Sequence, residues 1–138
     1  MNSTPTYLGN KELLNMRKIG YLASRKIPTL SVLPALDWAL QMSKQTDVAI
    51  ISGFHSRMER DVLKVLLQGK CGIILILARG MYRQLPQQYE EAMQQGRLLI
   101  ISYEKETITR VSEESAHKRN HHVEQLANEM FKIPHGES

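Results

Sequence analysis

Four short stretches carry residue types suited to holding an anion. They are Ser24-Arg25-Lys26, Ser52-Gly53-Phe54-His55-Ser56 running on to Arg57, Ala78-Arg79-Gly80, and the polar run from Ser102 to Thr109. Each follows an apolar burst, and three open with a small residue that lets a ligand approach the backbone closely. The hydroxyls of Ser52 and Ser56 can donate hydrogen bonds, and Gly53 can adopt dihedrals closed to other residues. The free N–H groups of a helix's first turn, backed by its dipole, attract negative charge. A phosphate is the ligand that this chemistry suits. A purely structural reading stands beside it, with Gly53 making the bend and Ser56 capping the helix. The turn matches neither the Walker phosphate loop nor the dinucleotide-binding glycine pattern.

Other reactive residue types form weaker patterns. His117 and His121 share a helix face within His117-Lys118-Arg119-Asn120-His121-His122. Without a glutamate in the HExxH arrangement or a nearby cysteine, they read as exposed histidines, and no metal is expected. Asn120 falls on an otherwise apolar helical stripe. Its amide must find partners, either tying down a loop or lining a ligand cleft beside Arg119. The single cysteine, Cys71, reads as a buried structural thiol. No Ser-His-Asp order emerges, and no carboxylate pair stands at a strand end: Glu59 and Asp61 belong to a helix, Glu104 and Glu106 to a loop. The residues point to binding rather than catalysis, and no cofactor is expected.

The elements that must position these loops are legible from periodicity. Lys18–Ala23, Asp47–Ile51, Gly72–Leu77 and Leu98–Ile101 read as strands, with a brief fifth over Phe131–Ile133. Gly72–Leu77 is apolar at nearly every position, as a central parallel strand covered on both faces requires. Helices are expected after Ser31, with Val32, Leu36, Ala39, Leu40 and Ser43 on one face; from Ser56 to Gly69; from Pro86 to Gly96; and from Ser112 to Met130. The last should carry Ala116, Asn120, Val123, Ala127 and Met130 on its inner stripe. Alternating β and α segments imply an α/β fold, a three-layer Rossmann-like sandwich. Its parallel sheet should have four to five strands, with helices on both faces. Residues 1–17 read as a helical or irregular lead-in, 18–134 as one domain and 135–138 as a tail. In such sheets ligands bind beyond the carboxyl ends of the strands, where all four anion-binding stretches fall.

Composition sets outer limits. The chain has 138 residues, 42% of them apolar and 23% charged, which is ordinary for a globular domain. No apolar run approaches the roughly 20 residues of a membrane span. A lone cysteine and no export-like start fit a cytoplasmic setting. The formal charge of +4 leans toward polyanionic partners, while an aromatic share of 6% argues against a platform of exposed stacking rings.

Taken together, these segments resemble the DNA-processing protein A family (DprA, also called Smf), within the SLOG superfamily of Rossmann-like folds. KIGYLASRKIP is similar to the family's first strand and Gly-Ser-Arg loop, with Ala23-Ser24-Arg25 in that place. VAIISGFHSRMERDVLKVLL resembles its strand, Ser-Gly turn and helix. CGIILILARGMYRQLPQQYEEAM matches the next strand, the glycine loop and the Tyr-Pro segment. GRLLIIS and SAHKRNHHVEQLANEMFKI resemble the following strand and the Arg-Asn segment. The likeness runs collinearly from Lys18 to Ile133. It implies a single-stranded DNA binder with a basic pocket at the strands' carboxyl edge, and a recombinase partner during DNA uptake and recombination. By the resemblance Arg25, Ser52, Gly53, Arg79, Gly80, Arg119 and Asn120 are carried over as binding residues. Lys26, His55, Ser56 and Arg57 come from the loop chemistry alone, while Ser24 belongs to the Ser24-Arg25-Lys26 loop and also to the matched Ala23-Ser24-Arg25.

The chain departs from the pattern at two points. Phe54-His55-Ser56 is bulkier than the family's glycine-rich turn, and Tyr103 follows Ser102 where the family has glutamate. A shortened sheet would expose an edge, so a homodimer is expected. Two other readings remain: a sensor for a nucleotide-derived small ligand, and a phosphoribohydrolase resembling the Lonely Guy enzymes. The latter family's Pro-Gly-Gly-x-Gly-Thr is replaced here by Ala78-Arg79-Gly80-Met81.

Overall fold

The structure, a computed structural model, describes residues 4–134. The tail expected over 135–138 therefore lies outside the described residues, as does the start of the lead-in. Among the described residues the strands are β1 (Thr6–Gly9), β2 (Arg17–Ala23), β3 (Val48–Ser52), β4 (Gly72–Leu77), β5 (Leu98–Ser102) and β6 (Glu129–Ile133). The helices are α1 (Val32–Ser43), α2 (Arg57–Leu67), α3 (Glu90–Gln94) and α4 (Glu113–Leu126). They form an α/β Rossmann-like sandwich around one sheet of order β1-β5-β4-β3-β2-β6.

Strands β3, β4 and β5 are buried at every position because their continuous apolar runs feed a core on each face. Alternate residues divide between the two. Ile50, Ile73, Leu75, Leu98 and Ile100 pack under α1, α2 and α3, while Ile51, Ile74, Ile76, Leu99 and Ile101 pack against α4 and Leu13. The chain steps outward from β2 to β5 over one face. It then returns across the other through α4, so that β6 pairs parallel to β2. At the opposite end of the sheet, Arg97 donates to the carbonyls of Leu66, Leu67 and Cys71 and closes the end of α2.

Several details differ from the sequence reading. The sheet has six strands rather than four or five, and the lead-in supplies one of them. β1 pairs antiparallel with β5, Thr6 opposite Ser102 and Gly9 opposite Leu99, followed by a 3-10 turn over Lys11–Asn15. Four exposed residues offer no local period to read, and only the distant edge of β5 makes them a strand. α4 stops at Leu126, and the final strand starts at Glu129, because Asn128 bonds back to Lys18 and redirects the chain beside β2. The inner stripe of α4 is Ser115, Arg119 and Val123; Asn120 is only half-buried. On α1 the buried face is Ala35, Ala39 and Ser43, which leaves Leu40 at 49% exposure.

Candidate functional site

The carboxyl ends of β2 to β5 open into a cleft with two lobes. One, of about 530 Å³, lies among the loop after β2, the start of α2 and the start of α4. It is lined by Ser24, Arg25, Ser56, Glu59, His117 and Asn120. The other, of about 390 Å³, lies over the end of β4, with Gly53, Phe54, Arg60, Arg79, Tyr82 and Tyr89 among its walls. His55, Val111 and Arg119 line both.

The turn between the lobes is built by local chemistry. Ser52 is buried, and its Oγ accepts the Phe54 N–H at 3.0 Å. That bond holds Phe54 at φ 46, a left-handed conformation costing a non-glycine residue about 1–2 kcal/mol. The strained residue is thus Phe54; Gly53 does not supply the unusual dihedral. What Gly53 supplies is space, since a Cβ there would fall on the side chain of Arg119. Ser56 then caps α2, its Oγ accepting the Glu59 N–H at 3.3 Å, and Glu59 completes a capping box.

Glu59 reaches further than a cap needs. Its Oε1 accepts the N–H groups of His55 at 2.8 Å and Ser56 at 3.2 Å, and its Oε2 accepts that of Ala23 at 3.0 Å. The carboxylate is 3% exposed and ties the end of β2 to the start of α2. The backbone donors of the turn just ahead of α2, together with that of Ala23, are therefore engaged by the chain itself.

Arg119 projects from α4 over Gly53 and is 6% exposed. Its Nε donates to Asn120 Oδ1 at 3.1 Å, so the Asn120 amide orients this guanidinium. No hydrogen bond from its outer nitrogens is found among the described residues, and none of the four ion pairs there involves a cleft arginine. Burial lowers the Arg119 pKa, with Glu59 opposing that shift. His55 is also held below its ordinary 6.5, first by desolvation and then by the Arg119 charge.

The second lobe is strapped from above by the segment after β5. Ser102 Oγ donates to the Arg79 carbonyl at 2.5 Å, and the Gly80 N–H donates to the Ile108 carbonyl at 2.7 Å. Gly80 is buried against the backbone of Lys105 and Glu106, where no Cβ fits. The Arg79 guanidinium lies 5.0 Å from the Tyr82 ring centroid, and Tyr82 and Tyr89 approach at 6.4 Å between centroids. Burial pushes the Tyr89 phenol up to about 12, so it stays protonated at neutral pH.

The fold thus gathers Ser24, Arg25, Gly53, His55, Ser56, Arg79, Arg119 and Asn120 around one cleft. Ser52 and Gly80 lie beneath it as supports, and Lys26 and Arg57 are exposed outside its walls. Glu59 was not singled out by the sequence reading, although Ser56-Arg57-Met58-Glu59 spells a capping box. Tyr82, Tyr89 and His117 also went unassigned to the cleft. Among the described residues no group of three His, Cys, Asp or Glu side chains is placed to hold a metal.

A family model described as DNA recombination-mediator protein A matches residues 3–137. The chain is similar in fold to the solved DNA processing protein A (DprA) from Streptococcus pneumoniae. The TM-score is 0.73 at 16% identity, covering 95% of this chain and 46% of that one. It is also similar to the Helicobacter pylori DNA processing protein A whose structure describes a single-stranded DNA binding mode. There the TM-score is 0.70 at 17% identity, covering 93% of this chain and 59% of that one. The chain therefore spans about half the length of these solved proteins. No curated protein matches it by sequence.

Proposed function

This chain belongs to the DNA recombination-mediator protein A family, and on that premise we propose that it binds single-stranded DNA along the carboxyl edge of its sheet. Phosphates sit on the Arg119 guanidinium, and unstacked bases turn toward the lobe floored by Phe54, Tyr82 and Tyr89. The observation that carries this reading is the state of Arg119: nearly fully buried, in no ion pair among the described residues, and facing both lobes. Burying a cation outside any ion pair is costly, and a polyanion repays that cost. Arg25 on one side and Arg60, Lys64 and Arg79 on the other extend the basic path.

Fluorescence anisotropy with a labelled oligothymidine over a salt series tests the reading. Arg119→Gln should weaken binding about tenfold or more, and the slope of log affinity against log salt should fall by about 1. Arg79→Gln should weaken it less, because that side chain is less buried. Unchanged affinity and slope in both variants would remove the proposal.

The alternative is a sensor of a nucleotide-derived ligand, favoured by the size of the aromatic lobe, about 390 Å³, which suits a small molecule. Affinity that stops rising beyond one nucleotide would select it. A recombinase partner and a homodimer accompany the DNA-binding reading. Leu30, just ahead of α1, and Leu33, in its first turn, support them, standing 91% and 71% exposed as contact surfaces often do. A cytoplasmic setting goes with the same role. No helix among the described residues is long and apolar enough to cross a membrane.

A further inference from the structure

We propose that Glu59 is a built-in anion that fills the phosphate seat of this cleft and thereby makes the chain select phosphates inside a strand over phosphate monoesters. The seat is formed by two loops: the N–H groups of His55 and Ser56 at the start of α2, and the N–H of Ala23 at the end of β2. Three convergent backbone donors at a helix start are the usual cradle for a terminal phosphate in α/β folds. Here one carboxylate, 3% exposed and projecting from α2 itself, accepts from all three.

A second observation marks the place as an anion site rather than a helix cap alone. Arg119, on a different element, is buried beside the same lobe, where burial lowers its pKa and the Glu59 charge opposes that shift. Its outer nitrogens make no hydrogen bond to the described residues. The cleft therefore has one anion-binding position supplied by backbone and already filled, and one supplied by a guanidinium and open.

Charge then decides what enters. A phosphodiester inside a strand carries one negative charge, and Arg119 alone can answer it. A monoester carries between one and two at neutral pH. It would need the amide cradle as well, and would meet the Glu59 carboxylate there. The inference rests on the DNA-binding reading for the identity of the preferred guest. The state of the seat itself does not depend on it.

The test follows thermal unfolding of wild type, Glu59→Ala and Glu59→Gln while phosphate replaces chloride at constant ionic strength. Phosphorus NMR line broadening of AMP accompanies it. Glu59→Ala frees the three donors next to an existing cavity. It should unfold at a lower temperature than wild type, recover saturably with phosphate, and broaden the AMP signal where wild type does not. Glu59→Gln keeps the seat filled by a neutral group, so it should respond to phosphate no more than wild type. It should also bind oligothymidine several-fold more tightly, because the charge opposing the strand is gone.

A wild type that responds to phosphate or AMP as strongly as Glu59→Ala overturns the proposal. So does a Glu59→Ala variant that gains nothing, or that stays unfolded at every phosphate concentration. Absence of oligothymidine binding in both wild type and Glu59→Gln would instead sink the DNA-binding reading, leaving the phosphate arm to judge the seat.

Discussion

The two lobes of the cleft solve the same problem in opposite ways. Each lies beyond the end of a parallel strand, where backbone donors have run out of ladder partners. In the lobe beside β2, a side chain answers them: Glu59 accepts from Ala23, His55 and Ser56. In the lobe beyond β4, backbone answers backbone, with Gly80 bonded to Ile108 and pressed on Lys105 and Glu106. The first lobe carries a fixed negative charge within its wall, whereas the second carries aromatic surface under arginine. On the border between them Arg119 is buried outside every ion pair of the described residues, with the Glu59 charge acting on it across the first lobe.

The glycines of the two lobes sharpen the contrast. At Gly80 a Cβ would strike main chain that cannot move aside. Gly80→Ala should cost about 3 kcal/mol, at the upper end for overpacking, and loosen the 103–112 strap. Denaturant unfolding would measure it, and a loss below about 1 kcal/mol would mean that the strap is soft. At Gly53 the obstacle is the flexible end of Arg119. Gly53→Ala should therefore leave stability within about 1 kcal/mol of wild type. It should weaken oligothymidine binding nearly as much as Arg119→Gln does. If it instead destabilised the protein and spared binding, the two glycines would have exchanged roles.

Smaller effects probe the first lobe alone. Ser56→Ala removes the N-cap of α2 and should cost about 1 kcal/mol. Its effect should not add to that of Glu59→Ala, since the two residues share one network. A double-mutant cycle of unfolding free energies checks this. The smallest effect is a dependence on pH. The folded-state pKa values of His55 and His122 are both lowered from 6.5, burial being the first cause in each. Their contribution to stability is present above 6.5 and is lost as pH falls through the lowered values. His55 adds a positive charge at the cleft over the same range, so oligothymidine affinity should rise modestly as stability declines. His55→Gln should flatten that rise without altering binding at pH 8.

Much of this arrangement was legible before any coordinates. The run Gly72–Leu77 could only be a buried strand, and Ser56 and Ser112 both proved to be N-caps. The rule that ligands sit at the carboxyl edge collected most of the cleft residues into one place. The inward stripe of α4 was right at Val123 but off by one position at Ala116 and Asn120, because a long polar side chain such as Arg119 can be buried only where a neighbour, here Gly53, leaves room. Glu59 was passed over because it was read only as a residue within a helix, and nothing local reveals the Ala23 N–H at its other oxygen.

The amino-acid order by itself determined the parallel core, the helix starts and the gathering of basic loops at one edge, since each follows from periodicity, capping and chain direction within a few residues. Only the tertiary structure decided that β1 would close the sheet in reverse, that one carboxylate would bridge two loops, and that one arginine would be buried outside any ion pair among the described residues. Those outcomes depend on register and proximity between segments far apart in the chain, which no local pattern encodes.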